Sequence, residues 1–189
     1  TYSLSPEVTA STGLDALTQV LEPFVSNKAN PLTDAICKEG LQRAGRSLRR
    51  AYEHGDDIEA RQDMALTSLL GGLALANAKL GAVHGFAGVL GGMYAAPHGA
   101  VCAALLPHVM AINVQALFKR QPDHMALQRY AEITHIVMGN SKATVQDGVT
   151  WIEALCRSLQ IPGLASYGLT HSDFPVVIER SAGSSSMQG

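Results

Sequence analysis

Apolar positions recur at helical spacing along almost the whole chain, and no run of alternating β-branched residues marks a strand. Asn30-Pro31 sets a capping residue before a proline at the first helical position. Apolar positions Leu32, Ala35, Ile36, Leu41, Ala44 and Leu48 carry that helix to about Glu53, where His54-Gly55 ends it. Asp56 or Asp57 then caps a long apolar helix over residues 58 to about 80. Gly71-Gly72 in its middle costs roughly 1 kcal/mol per glycine against alanine, which points to close approach by another helix or by a ligand. Further helices are predicted over residues 83–94, 99–118, 124–138, 145–159 and 172–180, with Pro107 expected to kink its helix. Consecutive helices joined by short connections predict an all-α bundle of about seven to nine helices, one domain over residues 1–189.

Composition narrows the partners. Hydrophobic residues make up 47% of the chain and charged residues 16%, with a net charge of −2. That is the profile of a folded domain rather than a disordered chain. It carries no electrostatic footprint for nucleic acid, and the cluster Arg43, Arg46, Arg49, Arg50 reads as a solvated helix face. Cys37, Cys102 and Cys156 are odd in number and lie in apolar helical patterns, so buried free thiols in a reducing compartment are expected. No membrane-length apolar run and no signal peptide is read, which gives an expected cytoplasmic location. Thr1 to Pro6 read like the exit from an earlier element, and the Gly/Ser-rich residues 181–189 like an unanchored end. Both suggest a piece of a longer protein.

Metal-competent side chains concentrate in three places. Asp15 and Gln19 stand four residues apart and share one helix face, in an otherwise apolar stretch. A buried carboxylate needs a cation, hydrogen bonds or a metal. Taken alone, Asp15 reads as a first-turn carboxylate complementing the helix dipole. His84 and His98 each precede a glycine in apolar sequence, and glycines 81, 85, 88, 91, 92 and 99 crowd this region. Such density serves either a cofactor or substrate face or crowded helix crossings. One carboxylate and two imidazoles make a ligand set suited to non-haem ferrous iron, with zinc as the other candidate. His54 reads as a helix C-terminal residue and His108 as packed, while His124, His135 and His171 sit in polar or capping contexts.

The blocks around residues 12–18, 29–35, 80–85, 97–99 and 106–110 resemble the iron-containing alcohol dehydrogenase family, in the family's order. The resemblance implies the helical, metal-binding domain of a two-domain enzyme with a dehydroquinate-synthase-like fold. An N-terminal α/β domain would hold NAD or NADP on a glycine-rich loop that this chain lacks. It further implies interconversion of a small-molecule alcohol with an aldehyde or ketone in a homo-oligomer, with the isolated domain inactive. The alternatives are a maleylacetate-reductase-like enzyme, or a non-catalytic helical domain with a degenerate metal site. The family holds its metal with one aspartate and three histidines. Asp15, His84 and His98 fall on three of those positions, and Gln19 falls where the family has the remaining histidine. Gly88 stands where the family has a histidine near the nicotinamide. These two departures imply lowered affinity for Fe(2+) or Zn(2+), down to an empty site.

Overall fold

Ser5 and Asn30 each stand just before a proline, and each begins a helix. The Ser5 hydroxyl accepts from the Val8 amide to open α1 (Pro6–Val25). A reciprocal pair of hydrogen bonds between Asn30 and Thr33 opens α2 (Pro31–Glu53). Asp57 caps α3 (Ile58–Ala78) by accepting from the Ala60 amide. The chain continues through α4 (Ala82–Met93), α5 (His98–Arg120), α6 (Met125–Met138), α7 (Val145–Ser158) and α8 (Phe174–Ala182). This computed structural model describes residues 1–188, and among them eight α-helices and no strand occur.

Helix α1 runs through the middle of the bundle. Leu14, Leu17 and Val20 are fully buried, and the helix packs on α2, α3, α5 and α6. The buried face of α2 comprises Thr33, Cys37, Gly40, Leu41, Ala44 and Leu48. Leu32 and Ala35, expected to face inward, are instead exposed. Gly40 takes the inward place because Val20 of α1 comes so close that a β-carbon there would lie 2.6 Å from its methyl. Helices α4, α5, α7 and α8 form the other side of the bundle.

Several expectations need correction. The arginine cluster is not simply solvated: Arg43 and Arg46 both donate to Asp63 of α3, and Arg50 pairs with Asp57. Asp63 also accepts from Ser47 at 2.6 Å and is 7% exposed, so these side chains clamp α2 onto α3. Helix α5 is, by length and composition, apolar enough to cross a bilayer, which the sequence pattern did not suggest. Its apolar face, including Val101, Cys102, Leu106 and Met110, is buried against α1, α4, α6 and α7. His108, expected to be packed, is exposed. The C-terminal stretch is anchored: Met187 lies against Gly85, and the Asn27 amide donates to the Gln188 carbonyl at 2.9 Å.

Helix α5 and the corner before α4 each carry a local irregularity. Pro107 lies inside α5 and cannot donate to the Ala103 carbonyl, which accepts instead from the Cys156 thiol at 3.6 Å. Between α3 and α4 the chain turns by 102°. Lys79 takes the corner with φ 60° and ψ 173°, a region ordinarily left to glycine.

Candidate metal centre

Helix α1 begins at Pro6, so Asp15 is its tenth residue and lies beyond the N-terminal dipole. The reading of Asp15 as a first-turn carboxylate therefore fails. Its Oδ1 lies 3.2 Å from Nε2 of His84, which rides on the first turn of α4 and is buried. The other ring nitrogen, Nδ1, is 2.7 Å from Oε2 of Glu22. Glu22 sits two turns beyond Asp15 on α1, is 4% exposed, and uses Oε1 to accept the Val83 amide at 2.7 Å. Gly81 gives α4 no side-chain cap of its own, so Glu22 caps α4 from the neighbouring helix. A β-carbon on residue 81 would stand 2.8 Å from Glu22 Oε1, so any side chain there would have to displace the capping carboxylate.

His98 opens α5, and its ring centroid is 5.5 Å from that of His84. Gly99 lets α5 start directly on α1, since a β-carbon there would meet the Ser11 carbonyl oxygen at 2.6 Å. One turn further on, Cys102 Sγ lies 3.5 Å from His98 Nε2. One ligand atom each from Asp15, His84, His98 and Cys102 falls within 4.8 Å of the others. Donors held about 2.0–2.3 Å from a zinc-sized cation stand roughly 3.3–3.6 Å apart along the edges of a tetrahedron. Two of the six separations, 3.2 Å and 3.5 Å, lie near such edges, and all four donor atoms fall within 4.8 Å, so the chemistry of the set suits one divalent transition-metal ion.

Without a cation, burial disfavours a charged His84, but Asp15, Cys102 and Glu22 outweigh it and push the pKa up to about 11. The ring then keeps both protons and must give up the one on Nε2 before it can ligate. Burial pushes the Cys102 thiol up, against the pull of His84. Glu22 supplies the carboxylate partner that fixes a ligating imidazole's orientation.

The structure thus brings Asp15, His84 and His98 to one place. Gln19 turns toward α3, where a β-carbon on Gly71 would lie 3.0 Å from its Oε1. Gly88 is exposed on α4, with nothing within 4 Å of where its β-carbon would be. Among the crowded glycines, 81, 85 and 99 admit close neighbours, while 88, 91 and 92 face open space. Gly71 is explained by close approach of α1, and Gly72 by no contact. Two residues of the site were not singled out by sequence. Cys102 is one helical turn from His98, a spacing that signals a shared face. Glu22 is an acid in an apolar run, two turns from Asp15.

The profile described as "Fe-containing alcohol dehydrogenase family, C-terminal" matches residues 9–188. The chain belongs to this family. Among iron-containing alcohol dehydrogenases and their relatives, it is 39% identical to alcohol dehydrogenase 4 of Saccharomyces cerevisiae over 179 residues, 94% of this chain and 45% of that protein. It is 37% identical to 1,3-propanediol dehydrogenase of Klebsiella pneumoniae over 178 residues, 91% of this chain and 44% of that one. The crystal structure of a 1,3-propanediol oxidoreductase superposes with a TM-score of 0.89 at 34% identity, covering 98% of this chain and 48% of that one. The chain therefore spans less than half the length of these relatives.

Proposed function

We propose that this domain is the metal-holding half of an NAD(P)-dependent enzyme that interconverts an alcohol with an aldehyde or ketone by hydride transfer. The observation that carries the reading is the convergence of Asp15, His84 and His98 from three helices, in a chain of this family. These side chains would hold ferrous iron or zinc; the neutral Gln19 amide is a weak fourth donor by comparison. When bound, the cation supplies a Lewis acid for the substrate oxygen. Glu22 holds the His84 ring so that Nε2 faces Asp15. Gly88 leaves the surface of α4 bare one turn beyond His84, and this is the face proposed for the nicotinamide ring. With no imidazole at that position, proton delivery falls to water.

The outer face of α3 exposes Leu69 and Leu73, an apolar surface that supports a homo-oligomeric assembly. Three free buried thiols suit a reducing compartment, which supports a cytoplasmic location. The test is NAD(P)-linked turnover by the full-length protein loaded with zinc or ferrous iron, with short-chain alcohols and propanediol as substrates. Activity that disappears in Asp15→Ala and His84→Ala is expected. A metal-loaded full-length protein that turns over neither alcohols nor carbonyls would sink the proposal.

A further inference from the structure

The three cysteines do not share one environment. Cys37 is fully buried in the core cluster, and Cys156 donates to the Ala103 carbonyl. Cys102 is also fully buried, yet its sulfur sits among Asp15, His84 and His98. Its distance to His98 Nε2, 3.5 Å, is the edge expected between a nitrogen and a sulfur donor on one tetrahedral ion, about 3.5 Å. Placement on α5 one turn after His98 sends both side chains to the same side of the helix. Gln19, by contrast, comes up against Gly71 of α3.

We infer that Cys102 is a fourth protein ligand of the metal centre, as a thiolate, beside the open position that a substrate oxygen needs. The inference rests on the metal-centre reading and replaces Gln19 as the fourth donor. On binding, the S–H bond breaks, the sulfur electron pair forms the metal–sulfur bond, and the proton leaves to solvent; no electron changes hands. A thiolate is a soft donor that favours zinc over ferrous iron, and a cation stabilises the thiolate that burial alone opposes. The Asp15–His84–His98–Cys102 set is then a borderline-soft site rather than one of carboxylate and imidazole alone.

Cobalt(II) substitution reads the ligand directly, because thiolate coordination adds an intense near-ultraviolet charge-transfer band that imidazole and carboxylate ligands do not give. The full-length protein, stripped with chelator and titrated with Co(2+), should show that band at one ion per chain. The band should persist in Gln19→Ala and in Cys37→Ala/Cys156→Ala, and vanish in Cys102→Ala. Zinc affinity of Cys102→Ala should fall by more than the roughly 10–100-fold lost when an outer-shell partner is removed. If Cys102→Ala does not fold, Cys102→Ser, which keeps nearly the same volume and removes the sulfur, should lose the band. Stoichiometric cobalt binding without the band overturns the cysteine assignment and leaves the metal centre standing. No cobalt binding at all overturns both.

Discussion

Glu22→Gln is a nearly isosteric change with an outsized expected effect, because both carboxylate oxygens are in use. Oε1 accepts the Val83 amide and Oε2 faces His84 Nδ1, each at 2.7 Å, in a side chain that is 4% exposed. An amide keeps a single acceptor, so one of those buried donors loses its partner at a cost of about 1–3 kcal/mol. For a chain of this size each kcal/mol lowers the melting temperature by about 2–4 °C. The same change loosens the ring that carries the Nε2 donor, and loss of such a partner weakens metal binding by roughly 10–100-fold. Thermal unfolding followed by circular dichroism in excess chelator reads the first effect. Zinc titration against a chromophoric competitor reads the second. A variant with wild-type melting temperature and wild-type zinc affinity would show that Glu22 neither caps α4 nor orients His84.

Asp63 is held at about 2, below its ordinary 3.8, chiefly by Arg46, against burial and with help from Ser47 and Arg43. Because folding lowers this pKa, the stabilisation is complete well above 3.8 and is lost as pH falls through 2. Asp63→Asn should therefore lose roughly 2 kcal/mol at neutral pH by urea unfolding, a gap that holds in mild acid and closes only as pH falls from 3.8 toward 2; a gap unchanged between neutral pH and pH 2 speaks against the clamp. Gly99→Ala places a β-carbon 2.6 Å from the Ser11 carbonyl, so it should cost about 1–3 kcal/mol and weaken zinc binding through the adjoining His98. Gly88→Ala meets nothing within 4 Å and should gain up to about 1 kcal/mol in the same thermal assay; the reverse order of the two glycine variants contradicts the packing described. Lys79→Gly should stabilise the fold by about 1 kcal/mol, read as a raised urea midpoint, by relieving the corner at φ 60°; a lowered midpoint would show that the corner is not strained.

Helix limits were legible where they are written locally. Asn30-Pro31, His54 and Asp57 stand at the ends where the sequence put them, because a cap needs only its own few residues. The helix expected over residues 172–180 starts later, at Phe174, because Thr170 and Asp173 first close a tight turn with each other. Asp15 was misplaced within its helix because the cap that matters, Ser5, lies ten residues upstream. Convergence of residues 15, 84 and 98 was foreseen through family resemblance, not through spacing. Glu22 and Cys102 went unread because their meaning depends on what lies across α1, α4 and α5. An acid or a thiol in an apolar run looks the same whether it meets a methyl or an imidazole.

Asp15 and His84 are 69 residues apart in sequence, so the ligand set exists only once distant helices have docked. The proposed ion, seated there, would act as a cross-link that the unfolded chain cannot offer, and its binding free energy would add to folding. Chelation should thus loosen the seam joining the two halves of the bundle. On that proposal, cation content of a purified sample would gauge how much of it has reached its native arrangement.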